Sequence, residues 1–250
     1  SKLFIIQTTT QPSIMSYSST SQADPFLASD IDLSKIVFSD PVQGKTSTFK
    51  SAYIVYEGKP LMVQTPWLRT WDGIAQPPVE FRQPGAPPKY VLNFSLNGQD
   101  KEQVVVFQDF LSRFDTRIME EACKEENTKK WGFNKQMNPD ICEHIYSKQL
   151  KLAKDRESGE FTDKYPANFK VKVPFYDGLW KCDLYNSNAN MEEVVGDLSS
   201  HLTGKCDVRA ILKCSALWFA GGKFGVTWQL YKAEYKADTI DHQSYGFRDE

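Results

Sequence analysis

In KYVLNFSLNG, Tyr90, Leu92, Phe94 and Leu96 alternate with Val91, Asn93, Ser95 and Asn97. A period of two marks a strand with one face buried, and Asn97-Gly98 ends it. FKSAYIVYEGKPLMVQ, residues 49–64, reads as two strands about the turn Glu57-Gly58-Lys59-Pro60. From 65 to 88, Pro66, Pro77, Pro78, Pro84, Pro87 and Pro88, with Gly73 and Gly85, predict a long loop. The period then changes. Phe107, Phe110, Leu111, Phe114, Ile118 and Ala122 recur at helical spacing, and Asp100, three residues before Gln103, supplies a cap. A second helix is signalled by Asn138-Pro139-Asp140 followed by Ile141, Ile145 and Leu152.

Strands resume in NFKVKVPFYDGLWKCDLY, residues 168–185. A two-residue loop at Asp177-Gly178 places Phe175 opposite Trp180, Val173 opposite Cys182 and Val171 opposite Leu184 on a core face. The outer face then pairs Lys170 with Tyr185, Lys172 with Asp183 and Pro174 with Lys181. A last hairpin, residues 207–235, turns at Gly221-Gly222. A two-residue loop there sets Trp218 over Gly225 on a small apolar face with Leu212, Cys214, Ala216 and Tyr231. On the reverse face Phe219 meets Phe224 and Ser215 meets Trp228, with Arg209, Lys213 and Lys232 toward the base and Lys223 at the tip. A slip of one residue would exchange the two faces.

The order of strands, two helices and strands predicts a mainly β (α+β) protein, a small antiparallel sheet or barrel with a helical insertion. Its expected limits are a Ser/Thr/Gln-rich arm at 1–25, a domain at 26–236 and a short polar, acidic tail at 237–250. The 30 basic and 32 acidic residues nearly cancel, so overall charge names no partner. Five cysteines without paired spacing suit reduced thiols, and no apolar run matches a signal peptide or membrane span. An intracellular protein without membrane contact is expected.

Catalytic patterns fail one by one. Gly221-Gly222-Lys223 lacks the rest of a phosphate-binding loop, and the dinucleotide fingerprint is missing. Trp71-Asp72-Gly73 resembles a nucleotidyltransferase motif, but Thr70 stands where the nucleophilic lysine belongs. His144, His201 and His242 fall in separate elements, and neither Cys142/His144 nor Cys206/Cys214 has zinc-ligand spacing. No enzyme, metal or cofactor is expected. Residues 202–236 instead carry six basic side chains against Asp207 and Glu234. Lysines interleaved with strand aromatics suit single-stranded nucleic acid, since cations track phosphates and rings stack on bases. The candidate binding residues are Lys170, Lys172, Lys181, Tyr185, Arg209, Lys213, Phe219, Lys223, Phe224, Trp228 and Lys232.

WFAGGKFGVTW, with KYPANFKVKVPFYDG upstream and VRAILKCSALWF leading into it, resembles the single-stranded DNA-binding proteins of nucleocytoplasmic large DNA viruses. That family is related to the replication proteins of the same kind in short-tailed phages. The resemblance spans roughly Phe49 to Tyr235. It implies an OB-fold-like barrel with helices between strands, sequence-nonspecific binding of single-stranded DNA, and a setting of viral replication and recombination at sites in the host cytoplasm or nucleus. The candidate partners beside the DNA are replication proteins through the C-terminal tail and a second copy of the chain, with the oligomeric state left open by the sequence. DTIDHQSYGFRDE departs from the dense acidic tail of the phage relatives, which leaves open a truncated run or weak tail regulation. The rival reading is a non-enzymatic structural or scaffolding β-protein, such as a virion component, that uses the aromatic hairpin for protein contact.

Overall fold

The computed structural model describes residues 24–238 except 45, 47, 83, 84, 156 and 163. Nearly all of the arm expected at 1–25, and all of the tail beyond Asp238, lie outside the described residues. Five strands close a barrel: β1 (Leu68–Thr70), β2 (Tyr90–Ser95), β3 (Asn168–Val173), β4 (Cys206–Ala220) and β5 (Lys223–Ala237). Its order is β1-β2-β3-β5-β4, and β4 returns to β1 through Cys206–Val208 against Thr70–Leu68. Only the β3–β5 contact is parallel, at Lys172 and Gln229. This is the expected OB-fold-like barrel with helices inserted between strands. The segment expected to be a loop nevertheless holds β1. Leu68 and Thr70 are fully buried, but three residues are too few to show a period.

The helices α1 (Lys101–Ala122), α2 (Glu125–Trp131) and α3 (Pro139–Ile145) lie between β2 and β3. Both expected caps form: Asp100 accepts from the Gln103 amide at 3.0 Å, and Asn138 from the Ile141 amide at 2.8 Å. The second helix stops at Ile145, so Leu152 is an exposed residue outside it. The apolar stripe of α1 packs into the barrel, Phe107 edge-on to Phe169, and Phe110 and Phe114 against Trp228. Ahead of the barrel, Phe49–Ala52 pairs with the distal part of β4, and Ile54–Tyr56 joins Ile36–Phe38 and Lys59–Pro60 in a separate small sheet.

The hairpin at Asp177-Gly178 forms as expected near its turn, with Tyr176 opposite Leu179, Phe175 opposite Trp180, and the Lys181 amide bonding Pro174 O at 2.9 Å. It ends there. Lys172 lies beside Gln229 and Asp183 beside Lys232, both parallel to β5, so the two arms follow one another along one edge of β5. The expected pairs Val173/Cys182, Lys172/Asp183, Val171/Leu184 and Lys170/Tyr185 are therefore corrected. Pro174 has no N–H with which to extend the hairpin ladder, and the turn becomes an excursion from one interrupted strand line.

Candidate nucleic-acid interface

The last hairpin has the expected register near its tip, with Ala220 opposite Lys223, Phe219 opposite Phe224 and Trp218 opposite Gly225. Two irregularities decide what faces out. Cys214 pairs with Trp228 and Ala216 with Thr227, so Ser215 is an extra residue in β4; Tyr231 is the extra residue in β5. A bulge shifts the alternation by one. Even positions of β4 face inward up to Cys214, and odd positions, Leu217 and Phe219, do so beyond it. The faces expected at the tip are therefore exchanged. Phe224 is 0% exposed, Trp228 3% and Phe219 8%. Phe219 stacks on Phe224, Phe133 meets both edge-on, and Trp228 sits among Phe110, Phe114 and Phe169. These three candidates are core residues with no face left for a base. Trp218 is half-buried on the other side, where it covers Gly225 as expected: a Cβ there would stand 2.9 Å from its ring.

Toward the base of the hairpin the candidate cations do come together. Directly paired residues share a face of a sheet. Gln229 has Lys172 of β3 on one side and Lys213 of β4 on the other, and Lys170 follows along β3 beside Asn93. Farther along β5, Lys232 lies between Asp183 and Ile211, and Glu234 between Tyr185 and Arg209. At ~3.3 Å per residue, the row from Gln229 to Lys236 is roughly 23 Å long. Rings accompany it. Lys172 Nζ is 5.2 Å from the Tyr176 ring and Lys232 Nζ 5.4 Å from the Tyr185 ring, while Arg209 and Lys236 approach Trp67 at 5.0 and 4.3 Å. Tyr176 is exposed, and its hydroxyl accepts from Gln229 Nε2 at 3.2 Å.

The two ends of the row differ in charge. Arg209 Nε bonds Glu234 at 2.6 Å, and Lys232 lies 3.6 Å from Asp183. Beyond them Arg69 bonds Asp238 at 2.7 Å and Asp207 at 3.3 Å. Lys151, Lys170, Lys172 and Lys213 make no ion pair among the described residues. Near this unpaired end, residues 146–151 fill the wedge where β3 and β5 part, Tyr146-Ser147 lying along Phe224-Gly225 and Leu150-Lys151 along Phe169-Asn168. A groove of about 210 Å³ is left, with Lys148, Lys151, Lys170 and Lys172 on its walls.

The wedge is pinned from below. Asp115 of α1 accepts from Tyr146 Oη at 2.6 Å, Gln149 Nε2 at 2.7 Å and the Gln149 amide at 3.0 Å. The Trp228 indole N–H donates to Gln149 in turn. Burial raises the Asp115 carboxyl above the usual Asp range, against the pull of those donors.

Lys170, Lys172, Lys213, Lys232, Arg209 and Tyr185 thus share one face. Lys181 is exposed at the base of the small hairpin and Lys223 at the tip of the long one, both off the row. Residue patterns missed Tyr176, Trp67, Lys236, Lys148 and Lys151. Tyr176 had a usable signal, an aromatic at a turn directly after a lysine-bearing strand. Trp67 and the wedge lysines had none, because their neighbours come from distant segments.

No protein-family model matches the chain, and no curated protein matches it. Solved structures similar to it include single-stranded DNA-binding proteins of bacteriophages. The protein from bacteriophage Enc34 in complex with ssDNA is 13% identical, over 80% of this chain and 95% of that one, at a TM-score of 0.43. Its C-terminal truncation is 13% identical over 82% and 97%, at 0.42. The gp2.5 protein encoded by bacteriophage T7 is 12% identical over 76% and 98%, at 0.41.

Proposed function

We propose that this chain coats single-stranded DNA without sequence preference and without chemistry, holding phosphates on Lys170, Lys172 and Lys213 and stacking bases on Tyr176 and Tyr185. One observation carries the reading: Lys170, Lys172 and Lys213, which make no ion pair among the described residues, share the outer face of the barrel with the exposed Tyr176 ring, 5.2 Å from Lys172 Nζ. Phosphate contacts release counterions, and each stacked base adds ~1–3 kcal/mol whatever its identity. A duplex keeps its bases inside, so only a single strand can use the rings. The sequence resemblance alone supports the finer setting, replication and recombination of a nucleocytoplasmic large DNA virus at intracellular sites. The scaffolding alternative loses its main support, since Phe219, Phe224 and Trp228 are packed within their own chain.

Titration with oligo-dT, followed by tryptophan fluorescence through Trp67, tests this reading. Quenching that weakens steeply with salt, and far weaker binding of a duplex, are expected. Absence of quenching at low salt, or quenching indifferent to salt, would overturn it.

A further inference from the structure

Two thiols that stand 19 residues apart in the chain meet where the helical insertion folds back on itself. Cys123 directly follows the last residue of α1 and Cys142 lies within α3, with their Sγ atoms 3.6 Å apart. That is contact distance for two sulfurs, and an S–S bond of ~2.0 Å requires an approach of only ~1.6 Å. Cys123 is the residue that caps the end of α1, where a helix gives most easily. The surroundings already hold the two segments together. Gln136 Nε2 donates to Cys123 O at 2.8 Å, Gln136 Oε1 accepts from Thr128 Oγ1 at 3.0 Å, and Cys142 Sγ donates to Met119 O at 3.8 Å. A bond between the sulfurs would record a proximity that the folded chain has without it.

The two thiols differ in access. Cys142 is 0% exposed, whereas Cys123 is partly exposed. Burial, helped by the neighbouring Cys123, pushes the Cys142 thiol up to about 12, so it is a poor attacker of molecules in solution. Cys123 is therefore the point of entry and Cys142 the thiol that resolves. Cys182 is also partly exposed but has no thiol partner among the described residues, which makes it an internal control.

We propose that Cys123 and Cys142 are a site of reversible disulfide formation that staples the end of α1 to α3, with a small-molecule disulfide as the oxidant. The Cys123 thiolate attacks one sulfur of that molecule, whose S–S bond breaks and releases a first thiolate. The Cys142 thiolate then attacks Cys123 Sγ and releases the second. The protein gives up two electrons and two protons, and the small disulfide takes both and departs as two thiols. The new bond closes residues 123–142, α2 included, into a loop, which removes freedom mainly from the unfolded chain. Because α3 runs directly into the 146–151 wedge, the wedge then departs from a covalently anchored helix.

The test incubates the full-length protein with oxidised glutathione at mildly alkaline pH and digests it without reduction. A peptide pair linked through Cys123 and Cys142 is expected, with a thermal midpoint higher by about 5–10 °C that dithiothreitol reverses. Cys123→Ser should abolish the linked peptide and the shift, and Cys182→Ser should leave both. If Cys123→Ser does not fold, alkylation of Cys123 in the native protein before oxidation serves in its place. Absence of the Cys123–Cys142 peptide, including glutathione that rests on Cys123 without being displaced, would overturn the proposal. So would a linked peptide with an unchanged or lowered midpoint. Neither readout involves DNA, so the outcome is independent of what the lysine row binds.

Discussion

The two halves of the β4–β5 hairpin use one ladder for opposite ends. Toward the tip the inward side carries large rings, Phe219, Phe224 and Trp228, and the outward side carries Ala216, Trp218, Gly225 and Thr227. Toward the base the inward side carries Val208, Ala210, Leu212, Ala233 and Tyr235, and the outward side carries Arg209, Lys213, Lys232 and Lys236. The tip is anchored by α1 and by the Trp131-Phe133 segment against its rings. The base is curled into the barrel, where mostly aliphatic side chains fill the inside and long cations point to water. Aromatic density therefore measures anchoring in this hairpin, and the proposed DNA contacts fall to the half with fewer rings.

That contrast can be broken at either end. Phe224→Ala should have the largest effect, a loss of ~3–5 kcal/mol of folding stability in denaturant titration, with oligo-dT affinity per folded molecule unchanged. Reduced affinity at full stability would mean that the tip does touch DNA. Lys172→Ala combined with Lys213→Ala should do the reverse: an unchanged melting curve, and a slope of log affinity against log salt shallower by about 1.4, two phosphates at ~0.7 each for a single strand. Tyr176→Ala should cost ~1 kcal/mol of oligo-dT affinity, at the low end for a stacked base because Lys172 already lies against the ring. Tyr176→Phe should retain most of that affinity, which separates stacking from the hydroxyl bond to Gln229. Arg209→Ala should change the salt slope least of the cation variants, since Glu234 already neutralises the guanidinium. A slope change equal to that of a single lysine variant would show that DNA displaces Glu234.

Turns and caps were legible because each depends on a few adjacent residues. Asn138-Pro139, Asp100, Asp177-Gly178 and Gly221-Gly222 all do locally what their chemistry requires. The lysine face was legible in part, because alternation along β3 and the base of β4 is regular. The aromatic assignment failed on Ser215. Its side chain bonds Thr227 O at 2.9 Å within the irregular pairing, yet a serine between Cys214 and Ala216 looks like any other strand residue. One extra residue was enough to invert every side chain beyond it. The 146–151 wedge was hidden for another reason. It pairs with β3 on one side and β5 on the other, and no local pattern in IYSKQLK records either partner.

Closure of the barrel has a consequence in time. β1 at Leu68–Thr70 meets β2 where Arg69 faces Ser95, but the barrel closes only when β1 also pairs with Cys206–Val208, and Gln229 joins Lys172 to Lys213 only once β5 is laid down. The face that carries Lys172 and Lys213 is therefore complete only when residues around 229 are in place. Pairings so distant in sequence form late and slowly. Assembly of the lysine face is thus tied to placement of the final strand.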